Sequence, residues 1–341
     1  MFYIRISLSL TVLIAFLYSG NSQEVLVPIA DISERIENDA QVFSKQGRNY
    51  GYKYKVNLKN VRSNLRNAPT FRNASQEEWQ KMSFFLPDGN EVVLDVAESP
   101  ISAPELYKLY PQNKTYKVKG RSYQGRIAVS EKGITGMIYK DDASFFIEPL
   151  ANGEHVSYLP DQSNYEKFSC QAFESVNSIL KRNKNTSRSL NSNGDYLKTF
   201  RIALATTVEF FQARGNNYAA VNADINGKLS ALNALYEKEF AFTFTLISAN
   251  NSLLFSNPNT DGLDPTNSST KVNSADTVIS STVGSESYDL GHVLHDYEIS
   301  GNGYGGSGVA YLGTVCGALK AGGWTGGGGN YPVDFFLGTF G

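Results

Sequence analysis

From residue 50 onward, apolar and polar positions alternate in short runs. Tyr52, Tyr54 and Val56 alternate with Lys53, Lys55 and Asn57, the period of two of a half-buried strand. Residues 81–96 place two apolar runs on either side of Asp88-Gly89, which predicts a hairpin. Residues 104–111 predict a short helix stopped by Pro111. Four further short runs, at 115–119, 125–130, 136–140 and 144–149, are separated by turn residues and predict an antiparallel sheet. Residues 23 to about 45 read as a helix or a loosely packed arm. Residues 23–176 are therefore expected to form one β-rich antiparallel domain.

The pattern changes after residue 176. Residues 177–196 are polar, basic and without apolar periodicity, the signature of a linker. Such a stretch suits processing cleavage and equally suits an uncut tether. Residues 199–206 then form a near-continuous apolar run, as in a central strand. Val221, Ile225, Leu229, Leu232 and Tyr236 fall on one face of a helix over 218–238. Phe240, Phe242, Phe244 and Leu246 alternate with smaller residues and predict a strand. A strand, helix and strand of these lengths imply a right-handed crossover and parallel pairing. A short apolar element follows at 278–281. Residues 287–316 give two more short strands joined by a glycine-rich connection, the second near a sheet edge, and 322–329 reads as another flexible connection. The fold class is α+β overall, with residues 197–341 an α/β unit whose mostly parallel sheet has an antiparallel edge strand.

Composition narrows the setting. A net charge of -2 gives no electrostatic case for nucleic acid. Arg5, an apolar run to Leu17 and the small residues Gly20 and Ser22 describe a secretory signal peptide over 1–22, so the protein is expected to be secreted. No run is long enough for a membrane span. Two cysteines, Cys170 and Cys316, are too few for a disulfide framework. Five Asn-x-Ser/Thr sequons, at Asn73, Asn113, Asn185, Asn250 and Asn267, matter only in a glycosylating host.

Several segments from Leu197 onward resemble the reprolysin-like (adamalysin-type) metzincin zinc metallopeptidases. Residues 197–205 look like that family's first strand, and 232–236 with 240–247 resemble its helix end and second strand. Tyr288-Asp-Leu-Gly-His-Val, Gly308-Val-Ala-Tyr and Thr314-Val-Cys316 follow in the family's order. The β-rich region before them resembles a propeptide. The resemblance implies hydrolysis of peptide bonds by zinc-activated water, with a peptide or protein as substrate and zinc as cofactor in the intact family member. It also implies that a peptide adds as a strand along Gly308, Val309, Ala310 and Tyr311. The family's His-Glu-x-x-His helix, due after Val333, has no counterpart within the 341 residues. The expectation is a chain that stops before that helix, lacks catalytic and metal-binding residues, binds no zinc and is inactive. Its second domain would be marginally stable, with Phe335, Phe336, Leu337 and Phe340 docking in place of the helix.

Other candidate chemistry is thin. Only three histidines occur, and His292 and His295 lie three apart on a strand, pointing to opposite faces. The run Gly301-Asn-Gly-Tyr-Gly-Gly306 lacks the strand-turn-helix setting of a nucleotide loop. Trp324 is equally placed to cover a core or touch a ligand. Cys170 has three open readings: a zymogen switch that occupies zinc in an intact homologue, an unpaired buried thiol, or a bond to Cys316. The competing function is a non-catalytic secreted binding or inhibitory module.

Overall fold

A computed structural model of the chain describes residues 26–28, 51–160, 169–174, 196–257, 259, 261–297, 307–327 and 333–340. The signal-peptide residues, most of the 23–45 arm, the linker up to residue 195 and the 301–306 glycine run lie outside them. The first sheet contains β1 (Leu26–Pro28), β2 (Gly51–Val56), β3 (Gln80–Phe85), β4 (Glu91–Glu98), β5 (Lys114–Lys119), β6 (Tyr123–Val129), β7 (Ile134–Lys140), β8 (Ala143–Pro149) and β9 (Glu154–Tyr158). Two helices interrupt it, α1 (Leu58–Leu65) and α2 (Pro104–Leu109). The strand order is β1-β2-β9-β8-β7-β6-β5-β4-β3, antiparallel throughout. Alternation gives the sheet two apolar faces. Tyr54, Phe84, Val96, Ile127 and Ile147 fill one core with Val61 and Leu65 of α1. Met137, Tyr139, Phe146, Val156 and Tyr158 form the other.

The second sheet is built from β10 (Ser169–Glu174), β11 (Lys198–Thr206), β12 (Phe242–Leu246), β13 (Leu290–Asp296), β14 (Ser307–Leu312) and β15 (Gly323–Gly327). Its helices are α3 (Val208–Ala213), α4 (Tyr218–Phe240), α5 (Ser268–Val283) and α6 (Val333–Phe340). The order is β10-β14-β15-β13-β11-β12, with only the β14/β15 pair antiparallel. In β11, Ile202 and Leu204 face α4 while Ala203 and Ala205 face α5, so the strand is covered on both sides as a parallel sheet requires. The predicted α+β architecture is thus what the chain adopts.

Three readings need correction. The apolar element at 278–281 is the interior of α5, whose start is capped by Asn267 and Thr270. The stretch read as flexible around Trp324 is the interior strand β15, with Trp324 fully buried. Glycine serves close packing there: a Cβ on Gly323 would meet His292 Nδ1 at 2.3 Å, and one on Gly326 would meet the Tyr297 ring at 2.4 Å.

The third concerns α4, read as having one buried face. Asn217 caps its start by accepting from the Ala220 N–H, and Ala241 ends it at φ 55° in the left-handed region. Val221, Ile225, Leu229 and Leu232 pack on the second sheet. The opposite side, including Gly227, Ala231 and Ala234, is buried against β6 and β7 of the first. The helix is the filling between the two sheets. The boundary drawn at residue 176 divides the chain but not the sheets, because β10 lies before it and pairs after it.

Candidate functional site

The strand singled out from sequence, β14, has one side paired to β15 and the other to β10. The β10 pairing is parallel and in continuous register: Cys170 opposite Gly308, Gln171 opposite Val309, Ala172 opposite Ala310 and Phe173 opposite Tyr311. All four residues predicted to receive an extended peptide therefore already have a strand alongside them, supplied by the region ahead of the linker. Cys170 is brought to this edge, opposite Gly308. Its bond to Cys316 is not formed, since Cys316 is a free, exposed thiol in the turn after β14. That turn holds Cys316 at φ 60° and bonds its N–H to the Asp289 carbonyl.

Behind β14 sits α6. Phe336 is buried in the core shared with α4, and Val333 is buried between α4 and the first sheet. Gly308 permits the close approach of this helix, since a Cβ there would lie 2.0 Å from the Thr339 carbonyl oxygen. Thr325 Oγ1 donates to that same carbonyl at 3.1 Å and accepts from His292 Nε2 at 2.7 Å. The His292 ring lies 4.3 Å from that of Phe340. Burial pushes its pKa down to about 3, so the ring is neutral. Of the four residues anticipated to dock, Phe336 is buried in this core and Leu337 and Phe340 are partly buried against it, while the Phe335 side chain lies outside the described residues.

His295 faces the other side of the sheet, against the Tyr297 and Trp324 rings. Its Nδ1 is 2.9 Å from Thr207 Oγ1 and 3.6 Å from Glu209 Oε2. Burial lowers its pKa to about 4, partly offset by Glu209. His155 is buried in the first sheet, accepting from the Ile134 N–H at 2.9 Å and with Nδ1 3.3 Å from the Gly153 carbonyl. The three imidazoles point into three different environments. Among the described residues no group of three His, Cys, Asp or Glu side chains could hold a metal ion. A zinc site with three convergent ligands does not fit the described residues.

The strongest charge cluster lies at the carboxyl ends of β11 and β13. Arg214, buried over the Phe210 ring, donates to Asp224 at 2.9 Å and Asp296 at 3.1 Å, and Lys228 meets Asp224 at 2.6 Å. Burial alone would raise the Asp224 pKa, but Lys228 and Arg214 hold it well below the carboxylate range. The charges are matched within the cluster, which reads as structural.

Sequence reasoning missed the residues joining the two sheets. Arg126 of β6 and Lys117 of β5 both bind Glu237 of α4, at 2.8 and 2.9 Å. Burial would raise the Glu237 pKa, yet these two cations hold it below its ordinary value. Ser102 donates to Asn226, while Asn113 donates to Asn222 and to the Ala219 carbonyl. The signal was present: α4 carries Asn222, Asn226, Gly227 and Ala231 on the side away from its apolar stripe, too small and too amide-rich for an ordinary solvent face.

The arrangement can hold an extended segment along β14 through backbone hydrogen bonds, and now holds one of its own. Residues 197–336 match the profile of the reprolysin-like metallo-peptidase family M12B. A comparison with curated proteins finds no match to the chain.

Proposed function

Residues 197–336 belong to the reprolysin-like M12B metallo-peptidases, a zinc-dependent family that acts on peptides and proteins, and from this premise we propose that the chain is the self-blocked form of a secreted zinc metalloendopeptidase. The observation that carries the reading is the parallel pairing of β10 along Gly308, Val309, Ala310 and Tyr311. A peptide entering that edge would need the same backbone groups that β10 uses. Residues 23–176 are in this reading the propeptide region, 177–196 the processing linker, and Cys170 part of the blocking strand. Zinc-activated water is the chemistry the family supplies. The 341 residues do not supply its ligands: they contain no His-Glu-x-x-His, and their three histidines are engaged separately. In this reading the 341 residues, taken by themselves, hold no zinc and cleave no peptide.

A second reading, the non-catalytic binding or inhibitory module, is favoured by one observation. The place beside α4 is filled by α6, with Phe336 almost completely buried. Metal analysis of the purified chain, with casein cleavage measured with and without chelator, tests the inactivity that both readings share. Less than a tenth of an equivalent of zinc and no cleavage are expected, on the order-of-magnitude argument that two or fewer convergent ligands do not retain the ion. One equivalent of zinc with chelator-sensitive cleavage would refute the assignment of inactivity.

A further inference from the structure

The region ahead of the linker meets the second sheet in two unlike ways. Its strand β10 touches the β14 edge through a parallel ladder. Its sheet, residues 51–158, is built into the other unit. Ile101, Leu106 and Tyr110 belong to the same apolar core as Ile202, Phe244 and Leu246. The Leu246 N–H donates to the Ile101 carbonyl at 2.7 Å, and the Ala103 N–H to the Leu246 carbonyl at 2.9 Å. At α6, Glu148 accepts from the Val333 N–H at 2.9 Å, and Tyr158 donates to Asp334 at 3.3 Å. The half-buried Glu237, held by Arg126 and Lys117, completes the join along α4. An interface combining a common apolar core, backbone bonds and a largely buried ion triad resembles a permanent one.

We infer that cutting the 177–196 linker does not release the 51–158 sheet: it remains as a noncovalent subunit seated on α4, α6 and the β12 edge, and only β10 has to leave for the β14 edge to open. The partner this surface fits is thus the severed first sheet. The inference rests on the reading of β10 as the blocking strand, and the experiment below separates the two.

A recognition site for a sequence-specific protease placed within 177–196 lets the full chain fold before it is cut. After cutting, gel filtration at micromolar concentration is expected to give co-eluting fragments, with the α4 amides still protected from hydrogen exchange. Fragments that part, with the α4 amides becoming exposed, would overturn the inference. Glu237→Gln leaves the buried Arg126 and the half-buried Lys117 without their carboxylate, so retention in the cut protein should weaken by about a hundredfold while the uncut variant stays folded. Should that variant fail to fold, Asn113→Ala removes only the amide contacts to α4 and should weaken retention by roughly tenfold. Unchanged retention in the tested variant would equally overturn the inference. Hydrogen exchange at β14 is read separately. Unprotected β14 amides in the uncut chain would remove the blocking role of β10, while co-elution would still report on the retained sheet.

Discussion

Without β10, the second sheet runs β14-β15-β13-β11-β12, and its two edges are closed by different means. At β12, Asn233 of α4 uses both amide groups on one residue: its Nδ2 donates to the Phe244 carbonyl at 2.9 Å, and its Oδ1 accepts from the Phe244 N–H at 2.7 Å. Residues 101–103 occupy the next backbone groups. Asn250 does the same for β11 beyond the end of β12, bonding the Leu204 N–H and carbonyl at 2.8 and 3.0 Å. At β14, in contrast, the closing element is a six-residue strand brought in from before the linker. A side-chain amide from a core helix closes an edge for as long as the fold persists. A strand on a connection closes it only while nothing competes for the same bonds. The contrast separates an edge protected against association from one that reserves its bonds.

Acid should act hardest, and on one side. Burial depresses the His292 pKa to about 3, below its unfolded value near 6.5. The stability it contributes is therefore complete above pH 6.5 and is lost as pH falls towards 3. By pH 4 the loss is about 3 kcal/mol, at 1.36 kcal/mol per unit. His155, pushed down to about 4 by burial, adds a comparable loss in the first sheet, where protonation would turn its Nε2 against the Ile134 N–H. β12 carries no histidine. Hydrogen exchange at pH 4.5 is expected to weaken protection of β13, β15 and α6 before that of β12, and His292→Gln should flatten the pH dependence. Equal loosening at both edges would contradict the assignment to His292.

How much of this was legible in the sequence depended on whether the partner of each residue lay nearby. Strand alternation and Asp88-Gly89 specified the meander from β3 to β8, because each strand's partner is the next along the chain. The crossover from β11 through α4 to β12 was legible for the same reason. The candidate edge was found at Gly308 to Tyr311, but its occupant was not, since β10 lies more than 130 residues earlier and its short run carries no marker of direction. Glycine misled at Gly323 and Gly326, where the cause is a ring overhead and not a turn. Asn233 read as one more polar residue of a helix, although it is fully buried. Its role depends on Phe244, whose backbone it joins across the helix-to-strand turn.

Asn233→Ala tests the permanent edge. It leaves the Phe244 N–H and carbonyl without their partners, and at about 1–3 kcal/mol for each unpaired buried group the expected loss is about 2–4 kcal/mol in chemical denaturation. Asn233→Asp keeps the acceptor but sets a buried carboxylate against the Phe244 carbonyl, and should lose at least as much as Asn233→Ala. No measurable loss in either variant would mean that water or residues 101–103 take over the edge. Gly308→Ala tests the other side with a smaller effect. Its Cβ would press on the Thr339 carbonyl, and overpacking of this kind costs about 1–3 kcal/mol. Increased exchange of α6 amides, with β12 unchanged, is the expected signature.

The smallest effect on stability should come from β10, and its smallness is the informative part. Proline cannot donate to a ladder, and its ring obstructs pairing on the side it faces. In a parallel pair, alternate residues bond to the neighbouring strand. Placing proline at Gln171 in one variant and at Ala172 in another therefore ensures that one of the two interrupts the pairing with Val309 or Ala310. Because β10 ends the strand order, the rest of the sheet keeps its bonds, and the loss in global stability should stay below about 1 kcal/mol, the scale of a single net backbone hydrogen bond. The β14 amides, however, should lose protection in the damaging variant, and an added extended peptide should then restore it in a concentration-dependent way. A global destabilisation as large as that of Asn233→Ala would show that β10 is as integral as the β12 edge, and the distinction between a permanent and an exchangeable closure would fail.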